Sequence, residues 1–284
     1  MTWKFIFITI SAACLLALGQ DLRRAEDLYQ RTQYEASLKI AGGEQSPTAG
    51  VYGLIGRNWF MLGDFKKAAD AFNKALALEP NSSEYNHWLG RSYGRRAELA
   101  SPLFAASNAS KARQFFERAV VLDPRNEEAL NDLFDYYLQA PGILGGGYDK
   151  AAEVARRIGR LNAAEGHFAQ AQLAEKRKQY DTAEDQLRHA LQLAPKQVGR
   201  VLDLARYLAK QGRYKESEDA FQQADNLAPN SPKVMFARAR TYIKDQRNPD
   251  QAKVLLQKYL RSNLTPDDPP RQEASKLLKQ VAGA

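Results

Sequence analysis

One stretch constrains this chain more than any other. Residues 49–82 read AGVYGLIGRNWFMLGDFKKAADAFNKALALEPNS. Tyr52, Ile55 and Trp59 recur at helical spacing, and Gly56 keeps one side of that helix thin. Gly63-Asp64 interrupts the pattern, Phe65, Ala68, Phe72 and Ala75 restart it, and Pro80-Asn81 stops it. Two amphipathic helices joined by a tight turn follow. Each has only one apolar face, so the pair cannot bury its hydrophobic surface alone and requires neighbours of the same kind.

Such neighbours are present. In 83–126, Leu89, Gly90, Tyr93, Ala112, Phe116, Ala119 and Pro124 fall at matching places. Pro80 and Pro124 are 44 residues apart, whereas Pro195 and Pro229 are 34 apart. The extra ten residues are expected as a long turn at 97–109, with Leu103 and Phe104 packed against the body. A third repeat, with Leu130, Leu133 and Tyr137, carries a second long turn near 140–149 (Gly-rich, 142–147), after which Asp149 can cap the next helix. Phe134 stands where other repeats have Gly or Ala, so helix spacing must differ there. Further repeats run over 164–197 and 198–231, and a sixth begins at Pro232. The expected architecture is an all-α, right-handed α-solenoid of about six helix pairs. It comprises a degenerate pair over 20–47, the solenoid over 48–284 and a capping helix at 268–282, with prolines in that helix's first turn.

The spacing of Trp or Tyr, Leu-Gly, Tyr, Ala, Phe, Ala and Pro in 49–82 closely resembles the 34-residue tetratricopeptide repeat. That resemblance implies a non-enzymatic scaffold whose first helices line a concave groove for a protein or peptide. The segments GRSYGRRAELAS and DYYLQAPGILGGGYDKA are similar to those of a group of exported bacterial tetratricopeptide proteins. Some family members clamp a C-terminal carboxylate with Lys and Asn. Gly53 and Trp88 occupy positions where that clamp needs polar groups, so it is not expected here.

The N-terminus reads as a signal peptide over 1–19. Lys4 precedes an uncharged apolar run at 5–18, and Ala17-Leu18-Gly19 suits cleavage before Gln20. The expectation is export to the periplasm or medium. An uncleaved membrane anchor and lipidation at Cys14, within Ser11-Ala12-Ala13-Cys14, are the alternatives. Cleavage at Gln20 would remove the single cysteine, and with it any disulfide or thiolate chemistry.

Within the repeats, Arg57, Arg91, Arg206 and Arg240 directly follow the small residue of their first helix, and Asp135 and Gln172 hold the same place in the intervening repeats. In the resembling family that offset faces the groove. Phe60, His87, Trp88 and Arg95 are expected near the first arginine cluster, and Phe236 and Lys244 near the second. Guanidinium groups take carboxylates through paired hydrogen bonds, so a protein or peptide partner with acidic groups fits. Internal pairing with Glu84, Glu128, Asp132, Glu165 or Asp203 is the competing reading. A second function also stands: an assembly component of a cell-envelope or secretion complex, acting through its convex face and insertions.

Other chemistries find little support. The formal charge is +8, but no run of five like charges marks a nucleic-acid tail. Most aromatics, including Tyr52, Trp59, Phe72, Tyr93, Phe116, Tyr214 and Phe221, fall at core positions, so nucleic acid is not an expected partner. The Gly-rich loop lacks the Lys and Ser or Thr of a phosphate loop, having Tyr148-Asp149 instead. His87, His167 and His189 have no second ligand at metal-binding spacing. No Gly-x-Ser-x-Gly elbow occurs. Neither an enzyme, a metal nor a cofactor is expected.

Overall fold

The computed structural model describes residues 21–283. The apolar segment 5–18, the cleavage point before Gln20 and Cys14 lie outside the described residues. The regular structure of the described residues is entirely helical. Packing divides the chain between Ala129 and Leu130 into two units.

The first unit contains α1 (21–30), α2 (Tyr34–Ala41), α3 (Ala49–Met61), α4 (Phe65–Leu78), α5 (Ser83–Leu99), α6 (Pro102–Leu122) and the start of α7 (Glu127–Gln139). Its helix starts are set by side chains that accept otherwise unsatisfied N–H groups. Thr48 accepts from Val51, Asp64 from Lys67 and Ser82 from Tyr85. The α3–α4 turn needs a left-handed residue, and Gly63 supplies it at φ 81°. Close approach explains the other small residues: a Cβ at Gly56 would lie 2.7 Å from Phe72 Cε1, and one at Gly90 would lie 2.5 Å from Phe116 Cε1. In these two hairpins the second helix thus inserts a ring where the first helix has no side chain.

The extra ten residues of the third hairpin do not form a long turn. They lengthen both helices: α5 has 17 residues and α6 has 21, against 13 and 14 in α3 and α4. Only Ala100 and Ser101 connect them. The apolar residues of this extension do not pack on the body either. Leu99, Leu103 and Phe104 are 70%, 81% and 62% exposed. The segment is rich in alanine, and Pro102 at the first helical position starts α6 with its fixed φ, so helix is its local preference.

The second unit contains the rest of α7, a 3₁₀ turn (Gly142–Leu144), α8 (Tyr148–Leu161), α9 (Ala163–Lys176), α10 (Tyr180–Leu193), α11 (Val198–Lys210), α12 (Tyr214–Leu227), α13 (Pro232–Lys244), α14 (Pro249–Arg261) and α15 (Arg271–Ala282). The Gly-rich loop is a structural turn. Gly145 adopts φ 84°. The amides of Gly145, Gly146 and Gly147 donate to Gly142, Pro141 and Tyr137 carbonyls, which leaves none of the three for a phosphate. Tyr136 Oη donates to the Leu144 carbonyl at 2.9 Å. Asp149 does not cap α8: the helix already starts at Tyr148, with Gly147 as its N-cap, and Asp149 sits in the first turn.

Phe134 is buried, and so is Ala155 on α8. Ala155 stands seven residues after Tyr148, the place that Phe72 and Phe221 hold after Phe65 and Tyr214. Large and small residues have exchanged helices in this repeat. Tyr214 departs from its expected core role: at the start of α12 it is 36% exposed, with the Arg247 guanidinium 3.6 Å from its ring centre.

At the C-terminal end, α15 begins at Arg271, after both prolines rather than around them. Tyr259 Oη donates to the Pro269 carbonyl, and Arg271 donates to the Leu260 and Ser262 carbonyls. Ala274 is fully buried against Leu256 and Tyr259, with Leu277, Leu278 and Val281 at the edge of the same cluster.

Candidate binding groove in the second unit

A cavity of about 660 Å³ opens along the first helices of three successive repeats, α9, α11 and α13. Asp267 and Pro269, before α15, complete its lining. Gln172, Arg206 and Arg240, each 34 residues from the next, all line it. The shared offset therefore places a polar side chain in the groove at every repeat of this stack.

The cations of the groove are not equivalent. Arg200 is deep, its side chain 12% exposed, with Nη2 3.2 Å from both Glu165 Oε2 and Asp203 Oδ2. Its guanidinium lies 4.4 Å from the Phe168 ring centre. Arg206 is held by Asp203. Lys210 donates to Glu175 at 2.6 Å. Lys233, Arg240 and Lys244 are exposed, line the groove, and form no ion pair among the described residues. All three lie on α13, seven and four residues apart, and so share one face of that helix. Asp245 and Asp267 are the remaining carboxylates of the lining. Tyr207 closes the floor, donating to the Tyr180 carbonyl at 2.6 Å, and burial pushes its phenol up to about 12. It is a neutral hydrogen-bonded wall at any physiological pH.

Phe236 also borders the groove, but it is 4% exposed and packs on Tyr259 at 5.1 Å between ring centres. It offers the groove little free surface. Sequence reasoning missed Lys233, Arg200 and Phe168. The signal for Lys233 existed: it stands 34 residues after Gly199, also in the lining.

The candidates of the first unit are arranged differently. Arg57 bridges two carboxylates, with Glu26 Oε1 at 3.0 Å and Glu84 Oε1 at 3.1 Å. Arg91 lies over the Trp88 and Phe60 rings at 4.3 and 5.0 Å. Arg95 pairs with Glu98 and lies 5.3 Å from the Phe65 ring centre. Phe60 packs edge-on to Phe65 and Trp88, and Trp88 stacks on Phe72 at 5.7 Å. His87 is a core residue, not a groove residue. It is 2% exposed, lies 6.0 Å from the Phe116 ring, and its Nδ1 is 4.0 Å from Glu128 Oε2.

Two histidines 22 residues apart in sequence come together. The rings of His167 and His189 stack at 5.5 Å across α9 and α10. His167 Nδ1 is 2.7 Å from Gln186 Oε1, and His189 Nδ1 donates to the Asp185 carbonyl. No group of three or more metal-ligating side chains occurs among the described residues.

Family models for the tetratricopeptide repeat match residues 49–82 and 173–234. Comparison with curated proteins finds no match. Among solved structures, a tetratricopeptide-repeat protein from Parabacteroides merdae is similar at 14% identity and TM-score 0.60, over 93% of this chain and 98% of that one. A thermophilic tetratricopeptide protein of Thermus thermophilus is similar at 20% identity and TM-score 0.53, over 70% of this chain and 98% of that one. A chain of the APC/C hetero-tetramer Cut9–Hcn1 aligns at 17% identity and TM-score 0.53, over 90% of this chain and 48% of that one. The chain therefore carries tetratricopeptide repeats and has the all-helical fold of proteins built from them.

Proposed function

We propose that the chain is a non-enzymatic scaffold that captures an extended, carboxylate-bearing segment of a protein in the groove of its second unit. Proteins built from tetratricopeptide repeats are in general scaffolds for protein–protein interaction, and the groove gives that role a chemistry. The carrying observation is the contrast on its floor. Arg200, Arg206 and Lys210 are already neutralised, whereas Lys233, Arg240 and Lys244 form an unpaired cationic face on α13. Such a face favours bidentate and charge-assisted hydrogen bonds to an acidic ligand. The aliphatic stems of these side chains supply apolar contact. We also propose export, with cleavage before Gln20, on the strength of the apolar run at 5–18.

A labelled decapeptide bearing glutamates and a free C-terminus, and its glutamine counterpart, provide the test by fluorescence anisotropy. The glutamate peptide is expected to bind tighter, and Lys233→Ala/Arg240→Ala/Lys244→Ala to weaken it at least tenfold. Equal binding of the two peptides, or an unaffected triple variant, overturns the groove assignment. Fractionation of an expressing cell tests export, which a chain confined to the cytoplasm overturns; N-terminal sequencing of the exported product tests cleavage, which a start at Met1 overturns.

A further inference from the structure

The elongated hairpin of α5 and α6 ends in a cluster that the groove does not use. Relative to α3 and α4, α5 is four and α6 seven residues longer. At ~1.5 Å per helical residue this makes a projection of roughly 6–10 Å. Its tip presents Leu99, Leu103 and Phe104, mostly exposed, around a connection of two residues. Single exposed leucines need no explanation, but three large apolar side chains gathered at one protruding tip do.

Charge distribution indicates what the tip meets. No Asp or Glu occurs between Glu98 and Glu117. Behind the tip lies a shallow, open surface bordered by Lys66, Arg96, Leu99 and Asn108, together with Asp64, which is paired with Lys67. Lys66 and Arg96 form no ion pair among the described residues, and Lys111 projects from α6. Arg96 and Lys111 flank the Tyr93 ring at 4.9 and 5.2 Å, which itself stacks on Phe115 at 5.5 Å. The tip is therefore uncharged and apolar, with cations immediately behind it.

We propose that this hairpin tip docks on an anionic lipid surface, with Leu99, Leu103 and Phe104 entering the interface and Lys66, Arg96 and Lys111 meeting the headgroups. The projection matches the roughly 5–10 Å depth to which interfacial segments bury apolar side chains. Clustered cations near a membrane gain from its negative surface potential. Size decides against a protein partner. A stable protein interface needs roughly 800 Å² from each side, far more than three side chains provide, whereas a bilayer needs no complementary shape. No helix among the described residues is long and apolar enough to cross a membrane.

The test is flotation of the full chain with vesicles of phosphatidylcholine alone or with 30% phosphatidylglycerol. The N-terminal apolar run can itself partition, so a reporter at the tip is needed. Ser101→Cys in a Cys14→Ser background carries an environment-sensitive dye for this purpose. The dye is expected to blue-shift and to become shielded from an aqueous quencher only with the anionic vesicles. Leu103→Ser/Phe104→Ser replaces exposed side chains only. It is expected to lower tip-dependent binding at least tenfold with unchanged circular dichroism, and Lys66→Glu/Arg96→Glu to lower it similarly. A dye that stays quenched on the vesicles overturns the proposal. So does a blue shift that needs no lipid and scales with protein concentration, which assigns the tip to a second copy instead. Lys233→Ala/Arg240→Ala/Lys244→Ala is expected to leave the dye response unchanged, which separates this test from that of the groove.

Discussion

Arg206 is ion-paired with Asp203, one turn before it on α11, and the equivalent place before Arg240 on α13 is held by Ala237. The two arginines are identical in type, repeat offset and groove, yet one is neutralised within its own helix and the other is not. This difference of one residue separates structural from available charge.

It follows that the two arginines differ in binding. Arg240→Ala is expected to weaken the glutamate peptide five- to tenfold, about 1–1.4 kcal/mol at 0.59 kcal/mol per e-fold, and Arg206→Ala less than threefold. Raising salt from 50 to 300 mM should shrink the Arg240→Ala effect, because exposed charges are screened. Anisotropy titrations at both salt concentrations check this.

Asp203 itself is a stability residue. Its side chain is 5% exposed and serves Arg200 and Arg206 together. Without it the buried Arg200 keeps only Glu165 and the half-exposed Arg206 turns to solvent, so Asp203→Ala is expected to cost about 1–3 kcal/mol in urea unfolding. Arg206→Ala, which leaves Asp203 paired with Arg200, should cost under about 1 kcal/mol.

Asp135 sets a pH dependence. Burial, followed by the Asp132 and Glu165 carboxylates, pushes its carboxyl up from 3.8 to about 6. The folded state therefore holds the proton more tightly than the unfolded chain. The charged form is penalised above about pH 6, and the penalty fades as pH falls from 6 towards 3.8. The displacement corresponds to ~3 kcal/mol in full. Asp135→Asn should therefore raise stability by about 2–3 kcal/mol at pH 8 and by far less at pH 4, measured as the difference in urea midpoint from wild type.

Two glycines of α5 should respond in opposite directions. At Gly90 a methyl group runs into the Phe116 ring, whereas at Gly94 it meets nothing within 4 Å. Gly90→Ala is expected to destabilise by about 1–3 kcal/mol through overpacking, and Phe116→Leu to relieve it in the double variant. Gly94→Ala should stabilise by about 0.5–1 kcal/mol through helix propensity alone. Thermal melts of the four variants decide.

The helical hairpins were legible because their apolar periodicity and glycine breaks are local. Gly63 and the ring-accepting Gly56 and Gly90 declare themselves in residues 49–94. What was not legible depended on alternatives that local pattern leaves equal. Ten inserted residues between two helices can loop out or extend both helices, and alanine content with Pro102 decided for extension. Arg57 was readable as a groove residue by offset, but its two carboxylates come from 31 residues before and 27 after. The stacked His167 and His189 are 22 residues apart in sequence. Pairings across helices of this kind are set by packing and leave no mark at short range.

The exchange of size between Phe134 and Ala155 bears on how such an array can be rebuilt. Repeats look like interchangeable bricks, yet the bulk that other repeats place on their second helix is carried here by the first. By the register in which Gly56 meets Phe72 and Gly90 meets Phe116, a standard second helix is expected to bring a large ring up to Phe134, and a standard first helix beside Ala155 to leave a void. Helices α7 and α8 are therefore expected to transfer only as a pair.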